Sequence, residues 1–136
     1  MSRSHAGSYK DSKNDCLFCV VRPNELLSEN ESCYASKDAH PVTPQHTLII
    51  PKRHVVDYFD LTELELVGIH QMLIAMRSRI KNDDLTVKGF NIGVNAGKTA
   101  GQSIPHVHIH LIPRRQGDVE NPQGGVRGVI PDKQKY

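Results

Sequence analysis

The chain has 136 residues, of which 38% are hydrophobic and 24% charged, and its formal net charge is +2. This length suits one domain with a single hydrophobic core, and so small a charge argues against nucleic acid as the main partner. No apolar run reaches the ~18 residues of a membrane span, and the polar start does not resemble a signal peptide, so a cytoplasmic location is expected.

The two ends of the chain differ in composition from its middle. Residues 1–15 are rich in Ser, Lys, Gly and Asn without apolar periodicity, which predicts a mobile leader. Residues 118–136 contain several glycines and prolines, which predicts an extended tail laid over the surface or over a partner subunit. The three cysteines, an odd number, argue against the disulfide framework of a secreted protein.

Short apolar segments bounded by turn residues predict a series of strands. A loop that contains two prolines, over 38–45, separates the second strand from the third. The strands predicted in chain order are 25–28, 33–37, 46–50, 87–95 and a last one over 106–112.

One amphipathic helix is predicted over 63–81. Thr62 and Glu65 carry the signature of a capping box at its start. The apolar residues of its predicted core face recur at spacings of three and four: Leu66, Ile69, Leu73, Met76 and Ile80. One helix beside several short strands predicts an α+β domain, with the helix packed on an antiparallel sheet.

The last predicted strand has three histidines, His106, His108 and His110, that alternate with aliphatic residues. Because side chains alternate along a strand, the three imidazoles should share one face and the aliphatic residues should enter a core on the other. An ordinary solvent-facing strand would more often carry Thr, Lys and Glu. The pattern therefore indicates either a catalytic zinc site or nucleophilic attack on phosphorus.

The loop before the histidine strand contains small and polar residues. It resembles a phosphate-binding P-loop at first sight, but one residue too few precedes the Gly-Lys pair and no helix follows, so a Walker motif is rejected. Its backbone N–H groups and the side chains of Asn95, Gln102 and Ser103 are still candidate phosphate ligands.

Cys16 and Cys19 form a CxxC pair that lacks the strand-to-helix setting of a redox motif. Half of a structural zinc site is the better interpretation, and it needs two further nitrogen or sulfur ligands from elsewhere. The eight histidines of the chain are candidates, and the spacing singles out none of them. Cys33 lies in an alternating strand and is most simply a small buried hydrophobe.

Together these motifs resemble the histidine triad (HIT) family. The resemblance rests on the histidine strand, on Gly101-Gln102-Ser103, on the stretch from Pro44 to His54 and on the CxxC pair. It covers residues 16–117 and implies a HIT domain there, with a HIT-like fold in which an antiparallel sheet of about five strands carries one main helix. Residues 113–118 resemble the branch that cleaves dinucleoside polyphosphates, whereas the CxxC pair resembles bacterial and archaeal members that bind zinc.

The resemblance implies a nucleotide hydrolase or transferase that acts at the α-phosphorus. His108 would attack the phosphorus and form a nucleotidyl-histidine, from which water would release a nucleoside monophosphate, most simply AMP. His110 would stabilise charge beside it, and His46 would be a fourth active-site histidine. Dinucleoside polyphosphates are the leading expected substrates; nucleoside phosphoramidates and nucleotidyl transfer are the alternatives within the family.

The same resemblance implies how the rest of a nucleotide would be held. Asp38 would receive the ribose hydroxyls, because a carboxylate accepts from both donors. The phosphates or the leaving group would be contacted by Asn95, Gln102 and Ser103. The base would lie among apolar residues near Leu17, Phe18 and Val42.

A bound zinc ion would have the ligands Cys16, Cys19, His54 and His106, with His46 as the alternative fourth ligand. A filled shell leaves no position for water, so this zinc would be structural, and no organic cofactor is implied. Family proteins commonly dimerise by joining their sheets, so a homodimer is expected, with the tail over 122–131 reaching the other subunit's site. Two hypotheses from other classes are a hydrolase whose triad binds catalytic zinc and a nucleotide-binding regulator without catalysis.

Overall fold

The structure, a computed structural model, describes residues 16–136, so the leader predicted over 1–15 lies outside the described residues. Five strands and one long helix succeed one another, joined by turns and short 3-10 segments. Their bounds are β1 Leu26–Glu29, β2 Cys33–Lys37, β3 Thr47–Pro51, α1 Glu63–Asp83, β4 Val87–Val94 and β5 Ile109–Arg115.

All five strands form one antiparallel sheet in the order β1-β2-β3-β5-β4, which confirms the α+β prediction. Most predicted bounds agree within one or two residues, but the histidine strand starts later than expected. Its regular pairing begins at Ile109, because the N–H of Val107 donates to the carbonyl of Val55 instead of to a neighbouring strand. His106 and His108 therefore lie just before β5.

Helix α1 begins where its capping signal predicts. The Thr62 hydroxyl accepts from the N–H of Glu65, and the Glu65 carboxylate accepts from the N–H of Thr62. Glu65 also receives two hydrogen bonds from Arg53, at 2.9 and 2.8 Å, so this cap joins the helix to the segment after β3. The helix ends two residues later than predicted, at Asp83.

The core face of α1 was only partly predicted. Leu66 is 39% exposed, while Gly68 and Met72 are buried together with Ile69, Met76 and Ile80. The helix approaches the turn between β1 and β2 so closely that only a residue without a side chain fits there: a Cβ on Gly68 would lie 2.6 Å from the Cβ of Ser32. This contact rotates the buried face away from Leu66.

We expect Gly68→Ala to destabilise the protein, although alanine favours a helix interior by roughly 1 kcal/mol relative to glycine. The added methyl group overlaps Ser32, and such overpacking costs about 1–3 kcal/mol. Urea unfolding measures the change. Ser32→Gly removes the opposing Cβ, so in that background the same substitution should become neutral or stabilising; an equal loss in both backgrounds would contradict the close contact.

The aliphatic residues of the histidine segment enter the core as predicted. Val107, Ile109 and Leu111 are buried in the cluster that includes the apolar side of α1. The histidines between them lie on the opposite face of the sheet, which the helix does not cover. No helix among the described residues has the length and apolar character needed to cross a membrane.

The tail lies over its own sheet in this chain. The Asp118 carboxylate accepts two hydrogen bonds from Arg114 of β5, both at 2.7 Å, and Arg114 also donates to Asn91 of β4 at 2.6 Å. Beyond this anchor, two short 3-10 segments, Val126–Val129 and Pro131–Lys133, follow. The tail thus lies along the histidine face of the sheet, beside β4 and β5.

Candidate active site

A cavity of about 450 Å³ opens on the face of the sheet opposite the helix. His108 and His110 line it, and Asp38 lies beside His110, with 3.9 Å between its Oδ2 and Nδ1 of that ring. Apolar and aromatic residues line the remainder, among them Leu17, Phe18, Tyr34 and Leu48. A small concave site with few polar groups is the usual form of a ligand pocket.

His108 is held in one tautomer by the backbone. Its Nδ1 lies 2.9 Å from the carbonyl oxygen of His106, so Nδ1 carries the proton and donates it there. Among residues 16–136, no hydrogen-bond partner is found for Nε2 of this ring, which keeps its lone pair available. The ring of Phe18 lies against the imidazole at a centroid distance of 5.0 Å and limits its rotation.

A relay of hydrogen bonds determines the tautomer of His110 as well. The N–H of Val42 donates to Nδ1 of His46 at 3.1 Å, so a neutral His46 carries its proton on Nε2. That Nε2 lies 2.9 Å from Nδ1 of His110, which accepts. A neutral His110 therefore has its own proton on Nε2, the nitrogen that is free to donate to an oxygen of a ligand.

Burial keeps the two relay histidines neutral at pH 7. It lowers the pKa of both His46 and His110 below the usual value, and for His110 the neighbouring His46 and His108 act in the same direction. The Asp38 carboxylate opposes this, because its Oδ2 lies 3.3 Å from Nε2 of His46. The other Asp38 oxygen accepts from the N–H of His40 at 2.7 Å.

The loop before β5 places two of its three candidate residues at the site. Asn95 and Ser103 line the cavity. Gln102 does not: its amide donates to the carbonyls of Val56 and Ile104 and accepts from the N–H of Gly97. Gln102 therefore holds the loop in shape, a role that the sequence alone could not distinguish from contact with a phosphate.

A second cluster joins the four predicted metal ligands. The donor atoms of Cys16, Cys19, His54 and His106 all lie within 4.8 Å of one another. The Cys19 sulfur is 3.1 Å from Nδ1 of His54, and the Cys16 sulfur is 3.3 Å from Nδ1 of His106. Two thiolates and two imidazoles gathered this closely match the Cys2His2 ligand set of a tetrahedral zinc site. These residues fit zinc, and His46 belongs to the other cluster.

His106 connects the metal cluster to His108. Its Nε2–H donates to the carbonyl of Pro51 at 2.8 Å, which leaves Nδ1 as a ligand atom, while its own carbonyl accepts from His108. The ring is fully buried, and burial lowers the pKa of His106 to about 4. It is therefore neutral at pH 7, as metal binding requires.

The pKa of His106 predicts acid sensitivity of the metal-free protein. The unfolded chain binds a proton near pH 6.5 and the folded chain only near pH 4, so stability rises with pH between these values. We expect the free energy of unfolding to fall by about 3 kcal/mol as the pH falls through this window, a shift of 1 unit being 1.36 kcal/mol. His46 and His110 act in the same direction. Urea unfolding from pH 7 to 4.5 measures this; a flat profile would contradict the buried neutral ring.

The triad does not converge on a metal of its own. Two groups of described residues are close enough to hold an ion, and each contains a single member of the triad. His106 belongs to the cysteine cluster, and His110 belongs to a group with Asp38 and His46 whose ring nitrogens are already hydrogen-bonded to one another. The hypothesis of a triad-bound catalytic zinc finds no support in this geometry.

Several contacts that shape the site had no signal in the sequence. The Tyr34 hydroxyl donates to the carbonyl of Phe18 at 2.6 Å and so fixes the CxxC turn against the sheet. The N–H of Val42 and the carbonyl of Pro51 set the tautomers of two histidines. Backbone groups carry no residue-type signature, so only the structure identifies them.

Comparison with known proteins finds one family over most of the chain. The model of the HIT domain family matches residues 20–117. Bis(5'-adenosyl)-triphosphatase of Dictyostelium discoideum is 37% identical over 103 residues, covering 75% of this chain and 68% of that protein. Adenylylsulfatase HINT3 of Arabidopsis thaliana is 38% identical over 116 residues, covering 78% of this chain and 55% of that protein.

Solved structures show the same fold. A HIT family protein from Bacillus anthracis superposes with a TM-score of 0.69 at 35% identity, covering 77% of each chain. A zinc-bound histidine triad family protein from Mycobacterium smegmatis superposes with a TM-score of 0.58 at 36% identity, covering 71% of this chain and 69% of that one. The chain described here belongs to the HIT family.

Proposed function

We propose that this HIT-family hydrolase cleaves nucleotides through a covalent intermediate on His108. Nε2 of His108 attacks the α-phosphorus, and the bond from phosphorus to the leaving group breaks with its electron pair. Water then attacks the same phosphorus, the P–N bond breaks, and a nucleoside monophosphate is released. Over the two steps, water supplies the oxygen that ends on phosphorus, and the proton it releases balances the proton that the leaving group takes up when it departs.

The tautomer of His108 is the observation that carries this proposal. A neutral imidazole with Nδ1–H bound to a carbonyl has its nucleophilic lone pair on Nε2, and the positive charge that attack creates is stabilised by the same hydrogen bond. His110, whose Nε2–H is available, stands next to it at a ring distance of 5.5 Å. It can donate to a phosphoryl oxygen as charge develops in the transition state.

The cavity suits a nucleoside on the other side of the phosphorus. Asp38 lines it and supplies the carboxylate for the ribose hydroxyls, and the apolar side chains of Leu17, Phe18 and Leu48 supply a surface for a base. Asn95 and Ser103 stand near the phosphate position, and Gln102 keeps their loop in place. Val42, which was predicted to contact the base, does not line this cavity.

The cysteine cluster would hold a structural zinc ion with Cys16, Cys19, His54 and His106 as ligands. Zinc bound there supplies no catalytic water, because its four positions are filled by the protein. Its contribution is to fix His106, whose carbonyl orients the nucleophile, and the CxxC turn, whose Leu17 and Phe18 line the cavity.

Two substrate classes fit this chemistry: dinucleoside polyphosphates, with AMP released from one end, and nucleotides whose phosphorus bears an amine or another small leaving group. The Dictyostelium relative is named for the first class and the Arabidopsis relative for adenylyl sulfate. The test is AMP release from diadenosine tetraphosphate, diadenosine triphosphate, adenosine phosphoramidate and adenylyl sulfate. Turnover of at least one of them supports the proposal; tight AMP binding without any turnover would instead favour a non-catalytic regulator.

Asp38→Asn tests the ribose contact. Hydrogen bonds to a charged group are worth about 1.5–3 kcal/mol, so KM for an adenosine substrate should rise roughly 10- to 100-fold. The 2',3'-dideoxy analogue lacks the hydroxyls, and the variant and the wild type should bind it with similar KM. Equal losses on both substrates would assign Asp38 to the relay histidines alone and contradict the ribose contact.

A homodimer is also part of the proposal. Strand β4 is at an edge of the sheet, and Ile92 on it is half exposed. On the outer side of α1, the apolar residues Val67 and Ile74 are exposed as well. Light scattering should give a molar mass twice that of the chain, and Ile74→Glu should lower the measured mass.

A further inference from the structure

A second cavity of about 510 Å³ adjoins the nucleotide cavity. His110 and Asn95 line both, so the two spaces meet at the histidine that stands where a phosphoryl group would react. The floor of the second cavity is the sheet beside β5, and its outer wall is the tail, through Pro122, Gly125 and Val126. Its volume is that of a small-molecule site.

Gly93 lies at the passage between the two cavities, because it lines the second one and pairs with His110, which lines both. It pairs with His110 across β4 and β5, so any side chain at this position would project on the same face as the imidazole. A Cβ built at Gly93 meets no heavy atom within 4 Å. Open space therefore lies on the His110 face of β4, within the second cavity.

The lining of this second cavity is apolar and carries no net charge. Aliphatic side chains dominate it, including Ile112 of the sheet and Val126 and Val129 of the tail. The two valines are 70% and 78% exposed in this chain. Of the described residues in the lining, the only formally charged pair is Arg114 and Asp118, which neutralise each other through two hydrogen bonds of 2.7 Å.

We propose that this tail-walled cavity binds the leaving group and selects one that is apolar and uncharged. This inference rests on the proposed function, because it assumes that the nucleoside occupies the first cavity and that the phosphorus lies between His108 and His110. A leaving group that begins with further phosphates would bring several negative charges to a space whose single guanidinium is already paired. Such charges lose hydration without gaining a partner. An aromatic or aliphatic leaving group gains burial instead.

The experiment compares amides of AMP whose amines differ in size and charge: ammonia, benzylamine, 4-carboxybenzylamine and naphthylmethylamine. We expect kcat/KM for the benzyl amide to exceed that for its carboxylated analogue at least tenfold. Gly93→Leu fills the passage, so it should lower kcat/KM for the naphthylmethyl amide at least tenfold and leave the ammonia-derived substrate within twofold. Val126→Lys supplies an unpaired cation, so it should narrow the ratio of kcat/KM between the neutral and the carboxylated amide, while Val126→Leu should preserve that ratio.

Other results would overturn the inference. Equal rates for the neutral and carboxylated amides would show that the cavity does not select charge. If Gly93→Leu lowers kcat/KM equally for all four amides, or changes the molar mass in light scattering, the tail-walled cavity serves folding or contact with a second copy of the chain. If the ammonia-derived amide is cleaved through His108 but no variant changes the kcat/KM ratios between the amides, this inference alone fails. If that amide forms no intermediate on His108, the proposed function fails.

Discussion

Replacement of His108 by alanine should lower kcat/KM for AMP release at least about a thousandfold, because removal of a covalent nucleophile eliminates the reaction path it supports. Its Nε2 is the nitrogen presented to the cavity with an available lone pair, and its Nδ1–H is held by a backbone carbonyl. His110 cannot take over the role, because its Nδ1 faces His46 and its Nε2 carries the proton. Steady-state kinetics on the best substrate of the panel measures the loss.

The control is a histidine of the same chain outside the site. His70→Ala removes an exposed imidazole on the outer side of α1 and should leave the rate within twofold. Binding of AMP to the His108→Ala variant should persist, since Asp38 and the apolar wall of the cavity are intact. A variant that keeps a tenth or more of the wild-type rate would contradict nucleophilic catalysis by His108.

The zinc ion proposed for the cysteine cluster should contribute more to stability and to nucleotide affinity than to the chemical step. An ion bound to the folded state alone at 1,000 times its Kd stabilises by about 4 kcal/mol, which for a domain of this size corresponds to a fall of about 10 °C or more in Tm. The nucleotide affinity should fall as well, because Leu17 and Phe18 lie in the turn between the two cysteine ligands and line the cavity. Calorimetry before and after strong chelation measures both.

Single cysteine variants separate metal loss from general damage. Cys16→Ser should bind less than one zinc per chain, lower Tm and raise the Kd for AMP together, because it removes one of four ligands. Cys33→Ala removes the third thiol, a buried group whose pKa is raised to about 11 by desolvation, and should keep the metal stoichiometry. Complete loss of turnover on chelation below the new Tm, with AMP affinity unchanged, would point to catalytic metal and contradict a structural role.

Local sequence patterns predicted the elements that position the site. The alternation of Val107, Ile109 and Leu111 with the histidines identified the core side of the segment and therefore the side open to a ligand. The capping signal at Thr62 located the start of the helix to the residue. In both cases the physical cause acts within a few residues, and it can be read from one segment of sequence.

Contacts between residues far apart in the chain account for the features that the sequence could not predict. Gly68 sets the rotation of α1 because Ser32, thirty-six positions earlier in the chain, approaches it, and no periodicity within the helix reveals that. Gln102 serves the loop and not the cavity because its amide reaches the backbone of Val56. The spacing of the histidines likewise could not assign His106 to the cysteines and His110 to His46; that division depends on which side chains the fold brings opposite each ring.

A rapid-quench experiment on the intermediate tests the central claim most directly. The enzyme is mixed with a substrate that carries ³²P at the α-phosphorus, quenched in alkali within one turnover, and digested for peptide mapping. The account predicts a phosphorus–nitrogen adduct on the peptide that contains His108, formed and lost at rates compatible with turnover and absent from the His108→Ala protein. Turnover of the same substrate with no label on the protein at any time, and with the oxygen of water reaching phosphorus in a single inverting step, would contradict it.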